Sequence, residues 1–363
     1  MLDETAPDIE VENEFEVVVD VEIEVDDEDE MAIDDEIEVE VDEDFDDEDE
    51  TEITDTFEIA SSAEDIVYDT RCGFMAIVGR PNVGKSSLLN EILGQKVSIT
   101  SFKPQTTRHQ ILGIKTEQKA QVVYVDTPGI HHGAQKALNR QMNRVANQAM
   151  LDVNGIIFVI EALKWTQEDE KVLQMVLNHS APVLVAINKI DLVKEKGQLL
   201  AFMQQISEKL PEAEMIPLSV RKRQQISSIE QWVDKHVPMS PFYFPEDQLF
   251  NHTERFHLSE IIREKLMRLL GQELPYAIDV QIEALEHQEN IIHIHALIYA
   301  EREGQKPIIV GKNGQMLREV GTKAREEMER FYGKKVCLKL WVKVKEGWSD
   351  NRRALQEMGY VSG

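Results

Sequence analysis

Cysteine is scarce in this sequence: the 363 residues include two, Cys72 and Cys337. Two cysteines cannot supply the several disulfides that hold small secreted domains together, so the sequence favours a reducing compartment. The acidic N-terminus has neither the basic region nor the apolar region of a secretory signal. The sequence also has no run of about 18 apolar residues, and we therefore expect no transmembrane helix.

Lysine and arginine are missing from the first 70 residues, although these contain 34 aspartates and glutamates. Residues 71–363 contain the other 34 acidic residues and all 39 basic ones, which gives that part a formal charge of about +5 in a chain of −29. We predict a disordered acidic extension over residues 1–70. Two roles stay open for it: a solubilising tail, or a segment that docks on a basic partner or competes with RNA for the basic surface of the remaining chain. The overall acidity therefore does not exclude nucleic-acid binding by residues 71–363.

Short apolar runs alternate with amphipathic stretches from residue 74 to residue 236. The runs predict strands at 74–78, 111–116, 121–125, 156–160, 183–187 and 215–218. The amphipathic stretches predict helices at 86–93, 137–150, 169–177, 198–209 and 226–236. Such an alternation is typical of an α/β domain, in which helices cover both faces of a mostly parallel sheet. We assign this domain to residues 71–237.

Three prolines, Pro238, Pro241 and Pro245, interrupt the pattern and predict a linker, which we assign to residues 238–257. Beyond it we predict a helix at 258–270, strands at 277–285 and 290–299, a short apolar segment at 307–310, a helix at 316–332 and a strand at 336–345. The order of these elements predicts a second, α+β domain over residues 258–363.

A glycine-rich motif follows the first predicted strand: Gly79-Arg80-Pro81-Asn82-Val83-Gly84-Lys85-Ser86. It fits the pattern GxxxxGK[ST], in which backbone N–H groups surround nucleotide phosphates at a helix N-terminus. Lys85 would reach the β- and γ-phosphates, and the Ser86 hydroxyl would bind Mg²⁺.

Two further motifs each follow a predicted strand. Asp126-Thr127-Pro128-Gly129 places a carboxylate on the Mg²⁺ side of the site and a glycine N–H near the γ-phosphate. Asn188-Lys189-Ile190-Asp191 favours guanine over adenine, because the Asp191 carboxylate can accept hydrogen bonds from the N1–H and 2-amino groups of guanine. We assign Asn188 to holding the loop and the base, and the Lys189 stem to the face of the purine.

These motifs together resemble the translation-factor-like branch of small GTPases and, in detail, the Era family. The supporting stretches are 79–90 (GRPNVGKSSLLN), 97–113 (VSITSFKPQTTRHQILG), 124–131 (YVDTPGIH) and the C-terminal half. The resemblance covers residues 72–360 and leaves out the acidic extension. It implies a P-loop GTPase domain followed by a type II KH domain.

The resemblance also completes the nucleotide site. It places switch I at residues 95–109, with Thr106 or Thr107 contacting Mg²⁺ and the γ-phosphate, and we favour Thr107. Ser219 and Val220 fit the loop that faces guanine, but the basic run at 221–223 departs from the family. We predict Mg²⁺ ligands at Ser86, Thr107 and Asp126. We predict catalytic roles for Lys85, Thr107 and Gly129. The predicted GTP contacts are Gly79, Arg80, Pro81, Asn82, Val83, Gly84, Lys85, Ser86, Ser87, Asp126, Thr127, Pro128, Gly129, Ile130, Asn188, Lys189, Asp191, Ser219 and Val220.

Ile130 occupies the position at which many GTPases have a glutamine that orients the attacking water. Isoleucine has no donor or acceptor for this task. We therefore expect slow intrinsic hydrolysis, with the water positioned by the backbone, by another residue or by a partner.

The second domain contains Gly311-Lys312-Asn313-Gly314, which matches the GxxG loop of a KH domain. That loop clamps the backbone of about four nucleotides. The tetrapeptide alone is a weak signal, but an amphipathic helix follows it and basic residues surround it. We predict RNA contacts at Lys306, Gly311, Lys312, Asn313, Gly314 and Lys323.

The resemblance implies a GTP-hydrolysing switch that binds the 3′ end of small-subunit (16S) rRNA and acts in assembly of the 30S subunit. It implies GTP or GDP with Mg²⁺ as cofactors, 30S precursor particles as partners, and a monomer in the cytoplasm with peripheral contact to the inner membrane. Two alternatives stay open: an RNA-binding assembly protein that binds GTP without turnover, and a membrane-associated regulatory GTPase that acts mainly through protein partners.

Overall fold

The computed structural model describes residues 69–101, 103, 106–109, 111–128, 137–271, 274–358 and 360. The predicted acidic extension lies outside the described residues, apart from Asp69 and Thr70. Gly129 and Ile130 of the predicted nucleotide site also lie outside them.

The first domain is built on a mixed sheet. Its strands are β1 (Arg71–Val78), β2 (Ile111–Glu117), β3 (Ala120–Asp126), β4 (Gly155–Glu161), β5 (Val183–Asn188) and β6 (Glu214–Pro217). They lie in the order β2-β3-β1-β4-β5-β6. Strand β2 pairs with β3 in the antiparallel sense and the other pairs are parallel, which confirms the predicted mostly parallel sheet. The carboxyl ends of β1, β3 and β5 therefore meet at one edge, where the predicted motifs follow them.

Helices cover both faces of this sheet. They are α1 (Lys85–Leu93), α2 (Ala137–Gln148), α3 (Gln167–Leu177), α4 (Lys196–Lys209) and α5 (Ile226–His236). Apolar side chains of α1 and α5, such as Leu89 and Trp232, pack with β-strand residues in one core. Residues of α2, α3 and α4, such as Val172 and Phe202, form the core on the opposite face. Strands β4 and β5 are apolar over most of their length because both of their faces are buried.

The predicted linker is an ordered strap that lies along the first domain. Residues 239 and 250 form isolated β-bridges with Arg71 and Gly113. The side chain of Gln121, fully buried in β3, donates to the Phe244 carbonyl at 2.8 Å and accepts from the N–H groups of Tyr243 and Phe244 at 3.0 Å each. One amide thus satisfies three backbone groups of the strap, so the prolines mark a rigid connection and not a flexible one.

The second domain places two helices on one face of a smaller sheet. Its elements are α6 (Glu254–Leu269), β7 (Ile278–His287), β8 (Ile291–Ala300), α7 (Lys306–Val310), α8 (Gln315–Tyr332), β9 (Lys335–Val344) and α9 (Arg352–Glu357). Strand β8 lies between an antiparallel β7 and a parallel β9. The core joins apolar residues of α6 and α8, among them Ile262 and Val320, to the inner face of the sheet.

Two predicted elements differ from the observed ones. Helix α6 begins at Glu254, within the predicted linker, because the Thr253 hydroxyl accepts from the Phe256 N–H at 3.2 Å and caps the first turn. The apolar segment at 307–310 is the helix α7, with proline in its first turn. Among the described helices, none has the length and apolar character needed to cross a membrane.

The strap predicts a measurable cost for losing the Gln121 side chain. Gln121→Ala leaves three partly buried backbone groups of the strap without their side-chain partner, and such a loss costs about 1–3 kcal/mol where the group is fully buried. We expect the free energy of unfolding, measured with urea, to fall by at least about 1 kcal/mol. Gln205→Ala, which removes an exposed glutamine on α4, is the matched control and should change it by much less. Equal effects of the two substitutions would contradict this account of the strap.

Candidate guanine nucleotide site and RNA interface

The P-loop between β1 and α1 has the backbone of a phosphate-binding turn. Gly79 and Gly84 have φ values of 152° and 107°, and Asn82 has a φ of 63°. A Cβ atom on Gly79 would lie 2.4 Å from the Val159 carbonyl oxygen, and one on Gly84 would lie 2.4 Å from Asn188 Nδ2. Both glycines are therefore required by close contacts as well as by conformation. Helix α1 begins at Lys85 and directs its free N–H groups at the same turn.

Lys85 lies inside this turn and is 6% exposed. Its Nζ donates to the carbonyl oxygens of Gly79 at 3.0 Å and Arg80 at 3.1 Å. Burial lowers the pKa of Lys85 to about 8, although the carboxylate of Asp126 raises it. Phosphate oxygens entering the turn would supply the negative charge that favours the ammonium form.

Hydroxyl groups gather around the buried carboxylate of Asp126 at the end of β3. Its Oδ2 accepts from Ser86 Oγ at 2.8 Å, Ser98 Oγ at 3.0 Å and Thr107 Oγ1 at 3.4 Å. The oxygens of Ser86 and Thr107 are 2.8 Å apart. Asp126 Oδ1 is buried and accepts no hydrogen bond from the described residues. Burial raises the pKa of the Asp126 carboxyl, while Lys85 and the hydroxyls lower it. A carboxylate with a free lone pair beside two hydroxyls is a set of hard oxygen donors that fits Mg²⁺.

The two adjacent threonines of switch I face different groups. Thr106 Oγ1 donates to the carbonyl of Lys103 at 2.7 Å, inside the loop itself. Thr107 is 5% exposed and lies in the cluster with Ser86 and Asp126. Both threonines line the open cleft next to the P-loop. The geometry thus places Thr107, and not Thr106, at the candidate metal position.

Asn188 joins the loops of the predicted guanine pocket. Its Nδ2 donates to the Val83 carbonyl at 2.8 Å, and its Oδ1 accepts from the N–H groups of Lys189 at 2.7 Å and Val220 at 3.1 Å. Ser219 Oγ donates to Asp191 Oδ1 at 2.6 Å. The structure therefore brings together the residues predicted to hold guanine. The Val220 N–H already serves Asn188, so a contact with guanine O6 would share or replace that hydrogen bond.

Two residues of the predicted GTP set direct their side chains away from the cleft. Arg80 is buried in ion pairs with Glu161 at 2.9 Å and Asp169 at 3.0 Å, and Val83 lies in the core. These two can contact a nucleotide through their backbones alone. Glu161 also pairs with Lys189 Nζ at 3.1 Å. Burial raises the pKa of the Glu161 carboxyl, but hydrogen bonds from Lys189 and Arg80 outweigh burial, and the net effect is a lowered pKa. The carboxyl therefore stays ionised and pairs with both bases.

Five of the remaining predicted GTP residues lie around the same cleft or support it. Pro81, Asn82, Ser86 and Ser87 line it. Thr127 Oγ1 donates to the Ile77 carbonyl at 2.9 Å and anchors the segment that follows β3 to β1.

The GxxG segment connects α7 to α8 in an open turn. Gly311, Asn313 and Gly314 have φ values of 74°, 53° and 75°. A Cβ on Gly311 would lie 2.6 Å from Met316 Cβ and 2.9 Å from its backbone nitrogen. Lys312 and Asn313 are exposed at the tip of the turn, beside the N-terminus of α8. This arrangement permits a phosphate backbone to approach the turn closely.

The lysines predicted to flank the turn differ in their surroundings. Lys306 is half-buried at the start of α7, whereas Lys323 is exposed on α8 and pairs with Glu319 at 2.6 Å. An exposed pair of this kind is weak, so Lys323 can exchange its partner for a phosphate.

Sequence inspection missed the residues that join switch I to the second domain. Lys96 pairs with Glu264 and Glu327, Arg263 donates to the Thr106 carbonyl, and Arg108 donates to the Ile278 carbonyl at 2.8 Å. Ser98, which donates to Asp126, was also missed. Arg263 and Glu264 lie among the apolar positions of α6, and this pattern could have indicated the contact. Charged residues are rarely buried without partners, so their position implies partners elsewhere in the chain.

Family comparisons match both domains. Residues 74–189 match the model for 50S ribosome-binding GTPases, and residues 273–349 match the model for KH domains. The chain is 52% identical to GTPase Era of Pseudomonas aeruginosa strain PAO1 over 297 residues, which are 82% of this chain and 97% of that protein. It is 52% identical to GTPase Era of Pseudomonas putida strain KT2440 over 291 residues, covering 80% and 96% of the two chains.

Two solved structures share the arrangement of both domains. One is the crystal structure of Era in complex with MgGDPNP and nucleotides 1506–1542 of 16S ribosomal RNA, with a TM-score of 0.78, 38% identity, and coverage of 81% of this chain and 100% of that chain. The other is a point variant of Aquifex aeolicus Era bound to GDP·AlF4⁻, with the same values. Fold and site thus define a P-loop GTPase joined to a KH domain. With these relatives, the chain belongs to the GTPase Era family.

The buried Lys85 predicts proton uptake when nucleotide binds. Above pH 8 the free protein loses the Lys85 proton, whereas phosphates favour the charged form, so binding takes up a proton and affinity falls as pH rises. The fall should approach about tenfold per pH unit above 8. Calorimetry of GDP binding at pH 8.5, in two buffers of different ionisation enthalpy, measures the uptake. Lys85→Met is the control, and an equal uptake by this variant would assign the proton to another group.

Proposed function

We propose that the nucleotide site binds GTP with Mg²⁺ through the residues assembled at the edge of the sheet. The support is the oxygen cluster: Ser86, Thr107 and the free Oδ1 of Asp126 form a set of Mg²⁺ ligands beside the phosphate turn. Lys85 stabilises charge on the β- and γ-phosphates from inside that turn. Asp191, oriented by Ser219, accepts the hydrogen bonds that distinguish guanine from adenine.

The RNA target proposed for the KH domain is the 3′ end of 16S rRNA. The observation that carries this proposal is the match over both domains to Era, whose solved complex contains nucleotides 1506–1542 of 16S ribosomal RNA. The open GxxG turn with exposed Lys312 supports it, because such turns clamp a sugar-phosphate backbone. The chain would act on precursors of the 30S subunit in the cytoplasm, where 16S rRNA is assembled into the subunit. A monomeric state and peripheral membrane contact stay predictions from the family resemblance.

Slow intrinsic hydrolysis is part of the same proposal. Gly129 and Ile130, which bear on the attacking water, lie outside the described residues, so the argument rests on the isoleucine side chain having no hydrogen-bonding group. An RNA or ribosomal partner that completes the site would then raise turnover.

Guanine selectivity predicts the behaviour of Asp191→Asn. The asparagine amide presents a donor where guanine has its 2-amino donor, so GDP affinity should fall by about 100-fold. Xanthine nucleotides have a carbonyl acceptor at that position, and their affinity should rise. Competition binding with GDP and XDP measures both changes. Ser228→Ala, on α5 and away from the predicted guanine pocket, is the control and should leave the ratio of GDP to XDP affinity unchanged. If Asp191→Asn also leaves this ratio unchanged, Asp191 does not contact the base.

RNA binding through the GxxG turn predicts a change in salt dependence. Lys312→Glu should weaken binding of an RNA containing the 3′ end of 16S rRNA and reduce the slope of log K against log salt by about one. The control is Lys194→Glu, which changes the charge equally at an exposed position after β5. The measurement is a filter-binding or anisotropy titration across a salt series. An identical slope in both variants would place the RNA elsewhere on the chain.

A further inference from the structure

The peptide of switch I around Thr107 is shared between the two domains. Thr107 directs its hydroxyl at Ser86 Oγ, 2.8 Å away, and at Asp126 Oδ2, 3.4 Å away. The residues on either side of Thr107 instead contact the KH domain. The conformation that presents the Thr107 hydroxyl therefore depends on groups outside the GTPase domain.

Arg263 of helix α6 holds the first flank. Its Nη2 donates to the backbone carbonyl of Thr106, the peptide group directly before Thr107. The guanidinium is itself fixed, because Nε donates to Glu260 Oε1 at 2.6 Å and Nη2 donates to Glu260 Oε2 at 2.7 Å. Arg263 is 1% exposed, so solvent does not compete for these hydrogen bonds. A planar guanidinium in a two-point pair has little freedom to move, and it fixes the carbonyl that it binds.

Arg108 holds the second flank. Its guanidinium donates to the backbone carbonyls of Ile278 at 2.8 Å and Tyr276 at 3.2 Å, at the start of β7. The neighbouring ring of His109 stacks on Tyr360, with ring centroids 4.2 Å apart. The Arg108 anchor belongs to switch I, whereas the Arg263 anchor belongs to the KH domain. Arg263 is thus a residue of the KH domain that binds the peptide group next to Thr107.

We propose that Arg263 is a positioning residue for GTP binding and hydrolysis, and that it acts by holding Thr107 at the Mg²⁺ and γ-phosphate position. The inference rests on the proposed role of Thr107. It adds a side chain from the RNA-binding domain to the requirements of the nucleotide site. Since the γ-phosphate distinguishes GTP from GDP, loss of Arg263 should affect the triphosphate and spare the diphosphate.

The first experiment compares nucleotide binding by the full chain and by Arg263→Gln. The affinity for a non-hydrolysable GTP analogue should fall about tenfold, the usual size of a lost hydrogen bond to a charged group, while GDP affinity changes by less than about twofold. The Mg²⁺ concentration for half-maximal analogue binding should rise, and kcat should fall more than KM rises. A purely structural role for Arg263 would instead leave both affinities unchanged or lower them together, and either result would overturn the proposal.

A matched control comes from the same helix. Arg255, near the start of α6, donates to the carbonyls of Ile282 and Glu283 of β7 and not to the Thr106 carbonyl. Arg255→Gln should leave the ratio of analogue to GDP affinity unchanged. If Arg255→Gln lowers that ratio as much as Arg263→Gln does, the effect comes from general weakening of α6 and the proposal is wrong.

A double variant tests whether Arg263 acts through Thr107. Thr107→Ala alone should weaken analogue binding and raise the Mg²⁺ requirement, and adding Arg263→Gln should cause little further loss. Additive losses would show that Arg263 acts by another route and would overturn the inference. If Thr107→Ala changes neither quantity, the proposed role of Thr107 fails first, which separates the two failures.

A second variant keeps the test valid if Arg263→Gln does not fold. Glu260→Gln retains the size of the side chain and leaves Arg263 in place, but it removes the charge that fixes the guanidinium. We expect a smaller loss of analogue affinity in the same direction, with GDP affinity unchanged. If Glu260→Gln unfolds at the normal temperature and loses no affinity for the analogue relative to GDP, the result counts against positioning of Thr107 by Glu260 and Arg263.

Discussion

The buried amide of Asn188 is the contact on which the nucleotide site depends. It joins the P-loop through the Val83 carbonyl, its own loop through the Lys189 N–H and the loop after β6 through the Val220 N–H. These loops follow different strands, so no local preference of the chain could align them. Gly84 is then fixed by sterics, since a side chain there would overlap Asn188. The phosphate turn and the guanine pocket are in this way one hydrogen-bonded unit and not two independent sites.

The sequence predicted the parts of this unit that depend on periodicity and local motifs. The strands of the GTPase domain were found because buried parallel strands are continuous apolar runs, and the P-loop was found because its glycines have a fixed spacing. The choice between Thr106 and Thr107 was open in sequence, since both are small hydroxyl residues in one loop. The hydrogen bond from Thr106 to the Lys103 carbonyl explains which of them points away from Asp126.

Contacts between distant segments were beyond prediction from the sequence. Nothing in the pattern around Gln121 indicates that it satisfies the backbone of a strap more than 100 positions away. The same holds for the hydrogen bonds that Arg263 donates to Glu260 on its own helix and to the Thr106 carbonyl of switch I. The periodicity of apolar residues identifies the buried face of a helix, but it does not identify the partners of charged residues such as Glu260, Arg263 and Glu264. Their burial is tolerable because each charge is matched across the domain boundary or along the helix.

The domain boundary combines polar and apolar contacts. Next to switch I it is mostly polar and includes the ion pairs of Lys96 with Glu264 and Glu327, beside the stacked rings of His109 and Tyr360. Next to α2 it is apolar, where Leu138 and Met142 pack against Trp348 and Leu355. The apolar half favours close packing of the two domains, and the polar half makes that packing specific. Both halves contact segments next to the candidate nucleotide site, so a ligand that favoured another arrangement of the KH domain through these contacts would also shift the affinity for nucleotide, and the reverse would hold with equal free energy.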